Sequence, residues 1–135
     1  MSAPVNGGAT LERAKVPRNH VMQIARPVRL ALLLAACVGV LALALMPLQT
    51  IPEVGVSDKI EHTLAFAVLA VLGTWSFPGR TGRVAAGLIG FGILIEILQG
   101  TLPLGRDAEV LDVAADSIGV ALGMAAELLI LRGRL

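Results

Sequence analysis

Three pairs of residues in this chain have the types and spacing to do chemistry. Asp58 and His62 are spaced i,i+4, Glu96 and Gln99 i,i+3, and Asp112 and Asp116 i,i+4. On a helix, each pair shares one side. His62 with Asp58 as its partner, and the apolar-flanked Glu96, are candidates for general acid–base work. Lys59 and Arg106 are candidates for holding a phosphate or carboxylate, Arg106 by a bidentate contact. Asp58, Lys59, His62, Glu96, Gln99, Arg106, Asp112 and Asp116 together form the candidate ligand site.

The segments carrying these residues are long and apolar. Stretches 28–46, 60–77, 84–102 and 110–131 are each long enough to cross a hydrocarbon core of roughly 30 Å. Pro47 ends the first, Pro78 to Arg83 form a turn after the second, and Pro103 to Asp107 a turn after the third. Ser57 or Asp58 can cap the second, with Glu61 in its first turn. Gly87, Gly90 and Gly92 allow close contact along the third, and Gly119 and Gly123 make a GxxxG seat on the fourth. The fold class is therefore all-α, a bundle of four transmembrane helices. Residues 1–27 are a basic, partly disordered N-terminal segment and 132–135 a short tail.

Charge orients the spans. Nine of the 11 Lys and Arg lie before the first span, in the second connection or in the C-terminal tail; the others are Lys59 and Arg106. The positive-inside rule then makes both termini cytoplasmic. His62, Glu96 and Asp116 fall within roughly 10 Å of the outer ends of their helices. Ionisable groups at such depth are costly and mark sites. Glu96 is expected to face the bundle interior, with His62, Gln99, Arg106 and Lys59 as natural partners. Glu61, Asp107 and Glu109 read as solvated helix ends, and Glu127 as a partner of Arg132 or Arg134.

Composition excludes several classes. The chain is 56% hydrophobic and 16% charged over 135 residues, with mean hydropathy +0.80, unlike a soluble domain. One cysteine, Cys37, rules out an internal disulfide or a cysteine-based metal site. Leu34-Ala35-Ala36-Cys37 resembles a lipoprotein processing box, but apolar residues follow it, so an ordinary intramembrane Cys is the simpler reading. The basic N-terminal residues lack interleaved aromatics, and no nucleic-acid partner is expected. With one His in the cluster and scattered carboxylates, neither a metal nor another cofactor is expected.

The pattern Asp58-Lys59-x-x-His62-x-x-x-Phe66, then Glu96-x-x-Gln99, Arg106, Asp112 and Asp116-x-x-Gly119-x-x-x-Gly123, resembles the VanZ-like family over about residues 28–131. Asp116 stands where that family often has Asn. The resemblance implies a small multi-spanning protein of the cell envelope, in a bacterial cytoplasmic (inner) membrane. The family's founding members are associated with low-level resistance to the glycopeptide antibiotic teicoplanin.

Three functions compete. The first is an outward-facing pocket between spans two, three and four, with span one as apolar support. It would bind or modify an amphipathic ligand, such as a lipid-linked envelope precursor or a lipoglycopeptide. The second is an enzyme using His62 and Glu96 on a lipid-linked substrate, although the chain has no nucleophile elbow or phosphate loop. The third is proton-coupled transport or conduction. Membrane lipids are the expected partners, with self-association left open.

Overall fold

The computed structural model describes residues 24–47, 58–105 and 107–132, with the side chains of the last two excepted. Four helices make up these segments: α1 (Arg26–Ala44), α2 (Asp58–Ser76), α3 (Thr81–Thr101) and α4 (Val110–Arg132). The positions named above for residues 1–23, for Ser57, for Arg106 and for Arg134 lie outside the described residues.

Helix limits follow local chemistry. Pro27 sits in the first turn of α1, where its missing N–H would be unpaired in any case. The α2–α3 turn is tighter than the sequence implies, because Gly79 adopts φ 76° and reverses the chain within a few residues. Thr81, Gly82 and Arg83 are therefore helical rather than part of the turn. Gly105, at φ 70°, does the same service between α3 and α4.

Three helices, α1, α3 and α4, are long and apolar enough to cross a membrane. Helix α2 falls short because Asp58, Lys59 and Glu61 crowd its first turn and Thr74 and Ser76 lie near its other end. Yet α2 is the central helix. It buries His62, Phe66, Leu69, Ala70, Gly73, Thr74 and Ser76, whereas α1 buries no residue fully. A helix covered by its neighbours needs less apolar surface than one facing outward. The core is Phe66, Leu69 and Ala70 of α2 with Leu88 and Ile95 of α3 and Val120 of α4. Phe66 and Phe91 add a tilted ring contact at 6.1 Å.

The closest packing is between α2 and α4, and small residues make it possible. A Cβ on Gly119 would strike the carbonyl of Thr63, and one on Gly123 the carbonyl of Ala67. The two backbones are thus in direct contact, as the GxxxG spacing implies. Asp112 and Asp116 continue the same seam toward the start of α4. Because the partners climb together, from Lys59 with Asp112 to Ala67 with Gly123, α2 and α4 run parallel. Helix α3 packs antiparallel against both, Gly73 of α2 meeting Val84 at one end. Arg29, at the start of α1, donates to the carbonyl of Trp75 at 2.6 Å and lies 5.7 Å from its ring centroid. The start of α1, the end of α2 and the start of α3 therefore gather at one end of the fold. The starts of α2 and α4 gather at the other.

Candidate functional site

At that second end, the seam turns from small residues to ionisable ones. Lys59 donates from Nζ to Glu109 Oε2 at 2.7 Å and to Asp112 Oδ1 at 3.0 Å. One turn deeper, His62 Nδ1 and Asp116 Oδ1 are 2.9 Å apart, and both side chains are buried. With the carboxylate oxygen of Asp116 as the acceptor, the hydrogen of this bond sits on Nδ1. Between these pairs Thr63 Oγ1 donates to the carbonyls of Lys59, at 2.8 Å, and Ala115, at 3.2 Å. Lys59 lies just ahead of the apolar stretch of α2. Its hydrogen bonds to Glu109 and then Asp112 hold its ammonium above the ordinary lysine range.

Glu96 approaches from α3. Its Oε2 accepts the backbone N–H of Glu109 at 2.7 Å, and its Oε1 is buried without a partner. The residue just before α4 has an amide with no partner inside the helix, and Glu96 supplies one from a neighbouring helix. Asp116 Oδ2 is likewise buried and unpartnered. It occupies the space beside Gly92, where a Cβ would collide with it. Gly92 therefore makes room for a carboxylate as well as for a helix.

The expected site residues are distributed as follows. Asp58, Lys59, His62, Asp112 and Asp116 come together at the α2–α4 end. Glu96 joins them through the α4 amide rather than through His62, Gln99 or Lys59. The hydrogen bond of His62 goes to Asp116, not to its same-helix neighbour Asp58, because the parallel register sets Asp116 directly across the seam. Gln99 reaches the other way: its Nε2 donates to the carbonyl of Ala44 at 2.9 Å and ties down the end of α1. Glu109, read from the sequence as a solvated end, is both a partner of Lys59 and the donor to Glu96. Its i,i+3 spacing from Asp112 was the available signal, since it sets two carboxylates toward one lysine. Thr63 was not singled out, and Gly92 was read as a helix-contact glycine rather than as the neighbour of the Asp116 carboxylate.

Asp58, His62 and Asp112 each offer a ligand atom, all within 4.8 Å of one another. These are the residues best placed to meet a cation, although Lys59 already holds Asp112.

Beside this cluster lies a cleft of about 190 Å³, open on one side. Asp58, Glu61 and His62 form its polar end, and Ala65, Phe66 and Ile95 line it further in. Its remaining wall is Val40, Leu43 and Ala44 of α1. The pocket expected between the second, third and fourth spans is thus lined by α1, α2 and α3, and α1 is a wall of it rather than a distant support. The shift follows from packing: the α2–α4 backbones are too close to leave space between them.

No protein-family model, curated protein or solved structure matches the chain.

Proposed function

We propose that the chain is a VanZ-like protein that crosses a bacterial cytoplasmic membrane four times, with both termini cytoplasmic. It binds an amphipathic cell-envelope ligand at its outer face. The observation that carries this is the cleft between α1, α2 and α3, with Asp58, Glu61 and His62 at one end and apolar walls beyond. A lipid-linked molecule has the same division. Its tail lies along Val40, Leu43 and Phe66, and its head meets the acids.

The four-span arrangement is supported by α2 itself. Its outward residues Ile60, Leu64 and Val68 are apolar and exposed, like Leu34 and Val38 of α1 or Ile118 and Leu122 of α4. Large exposed apolar surfaces of this kind suit lipid rather than water. The alternating helix directions fit two cytoplasmic termini, and Lys59 of α2 is paired with Glu109 and Asp112.

The head of the ligand is constrained by charge. Lys59 is already held between Glu109 and Asp112, so it is not a free anion ligand. The polar end is acid-rich and suits hydrogen-bond donors, such as the hydroxyls and amines of a glycosylated or lipoglycopeptide head. The test is photocrosslinking of a lipid-tailed disaccharide probe to the full chain in membranes, alongside teicoplanin susceptibility. Labelling is expected in α1 and α2 near Val40 and His62, and it is lost in Leu43→Trp, which fills the cleft. Labelling that ignores Leu43→Trp sinks the proposal.

A second reading rests on the bond from His62 to Asp116. A buried carboxylate that orients an imidazole and leaves Nε2 free is the arrangement of a general base. In this reading, His62 would activate a water or hydroxyl against a lipid-linked substrate. Purified protein without turnover on polyprenyl-phosphate-linked substrates, with or without Mg²⁺ and Mn²⁺, would count against it.

A further inference from the structure

A second cleft lies at the opposite end of the fold, and the site described above makes no use of it. Its volume is about 310 Å³. Leu33 and Cys37 of α1 and Val84 and Leu88 of α3 wall it, with Arg80 and Arg83 at its mouth. Gly87 also lines it, and a Cβ there would meet nothing within 4 Å, so the chain leaves this space open to an outside group. Among the described residues, every ion pair is at the other end, on Lys59 or His62, and no carboxylate pairs with Arg80 or Arg83. An apolar space beneath two uncompensated guanidinium groups is complementary to one kind of molecule, an amphiphile with an anionic head.

We propose that this cleft binds one anionic phospholipid of the surrounding bilayer, its phosphate between Arg80 and Arg83 and an acyl chain along Leu33, Cys37, Val84 and Leu88. Guanidinium groups match phosphate oxygens by paired hydrogen bonds. Basic pockets between transmembrane helices on the cytoplasmic side recognise such heads. The proposal rests on the membrane placement given above but not on the ligand assigned to the other end. The bound lipid would fill a gap between α1 and α3, two helices that touch each other little, and would join them through its chain.

Native mass spectrometry of the full chain in detergent, with added phosphatidylglycerol or phosphatidylcholine, tests it. One phosphatidylglycerol is expected to stay bound, favoured by roughly 10- to 30-fold, the factor that two basic groups supply. In R80Q/R83Q that preference should fall to within about 2-fold, while R80K/R83K keeps most of it. Gly87→Leu puts a side chain into the acyl space from a position where a Cβ meets nothing within 4 Å, so it should fold and retain neither lipid. Equal retention of both lipids by the wild type, or a preference unchanged in R80Q/R83Q, overturns the headgroup assignment. Wild-type retention in Gly87→Leu overturns the cleft as the seat. None of these outcomes bears on crosslinking at the His62 end, so the two proposals fail separately.

Discussion

Asp116 offers a direct way to measure what the α2–α4 seam contributes. Its Oδ1 is 2.9 Å from His62 Nδ1, and the residue is fully buried. Asp116→Ala leaves the imidazole N–H with no acceptor on the buried α2–α4 seam. An orphaned buried donor costs about 1–3 kcal/mol. Asp116→Asn is different, because its amide oxygen can still accept from Nδ1 and its volume is nearly the same. It should cost at least about 1 kcal/mol less than Asp116→Ala. Removing His62 as well takes away the orphan, so a double-mutant cycle with His62→Ala should return a coupling of about 1–2 kcal/mol. Reversible unfolding of the purified protein in mixed micelles, followed by the fluorescence of its single tryptophan, Trp75, supplies the four stabilities. A coupling below about 0.3 kcal/mol, within the additivity of independent sites, would refute the hydrogen bond as a stabilising element. So would an Asp116→Asn variant as unstable as Asp116→Ala.

Three further outcomes follow from the same geometry. Gly119→Leu should separate α2 from α4, since even a Cβ meets the Thr63 carbonyl; a loss of about 1–3 kcal/mol or failure to fold is expected in the same unfolding assay. Gly92→Ala must displace the Asp116 carboxylate, so it should destabilise the wild type more than it destabilises Asp116→Ala, as read by comparing the two backgrounds. Lys59 has its ionisation raised by Glu109 and then Asp112. A raised folded-state value means that its stabilisation is fully present below the ordinary lysine range and is lost as pH rises above it. A pH scan should therefore show wild type and Lys59→Met drawing together only at strongly alkaline pH; convergence near neutrality would contradict the pairing.

Much of the architecture could be read from the residues. The apolar runs and their Pro and Gly boundaries place all four helices to within a few residues, because length and turn chemistry are local properties. The exception, the start of α3, arises from Gly79, whose left-handed turn is more compact than the run from Pro78 to Arg83 suggests. The Gly119 and Gly123 contact was legible for the same reason: a four-residue spacing of small residues marks a helix face. Partner choice was less so. Spacing sets Asp58 and His62 on one side of α2, but whether His62 then turns to Asp58 or across to Asp116 depends on how two helices are offset. Glu109 shows the same limit, since its role depends on Lys59, in another helix. The cleft wall from α1 could not be foreseen at all, because α1 carries no polar residue that points toward the site.

The pairing of His62 with Asp116 also bears on how the chain is made. The two residues are 54 positions apart, and Lys59 is 53 from Asp112. At synthesis rates of about 5–20 residues per second, α2 exists for roughly 3–11 s before its partners on α4 emerge. During that interval Lys59 and His62 lack the α4 carboxylates that hold them in the fold. The helix that ends at the centre of the fold is therefore the one least able to settle alone, and its final seating must await the last helix to be synthesised.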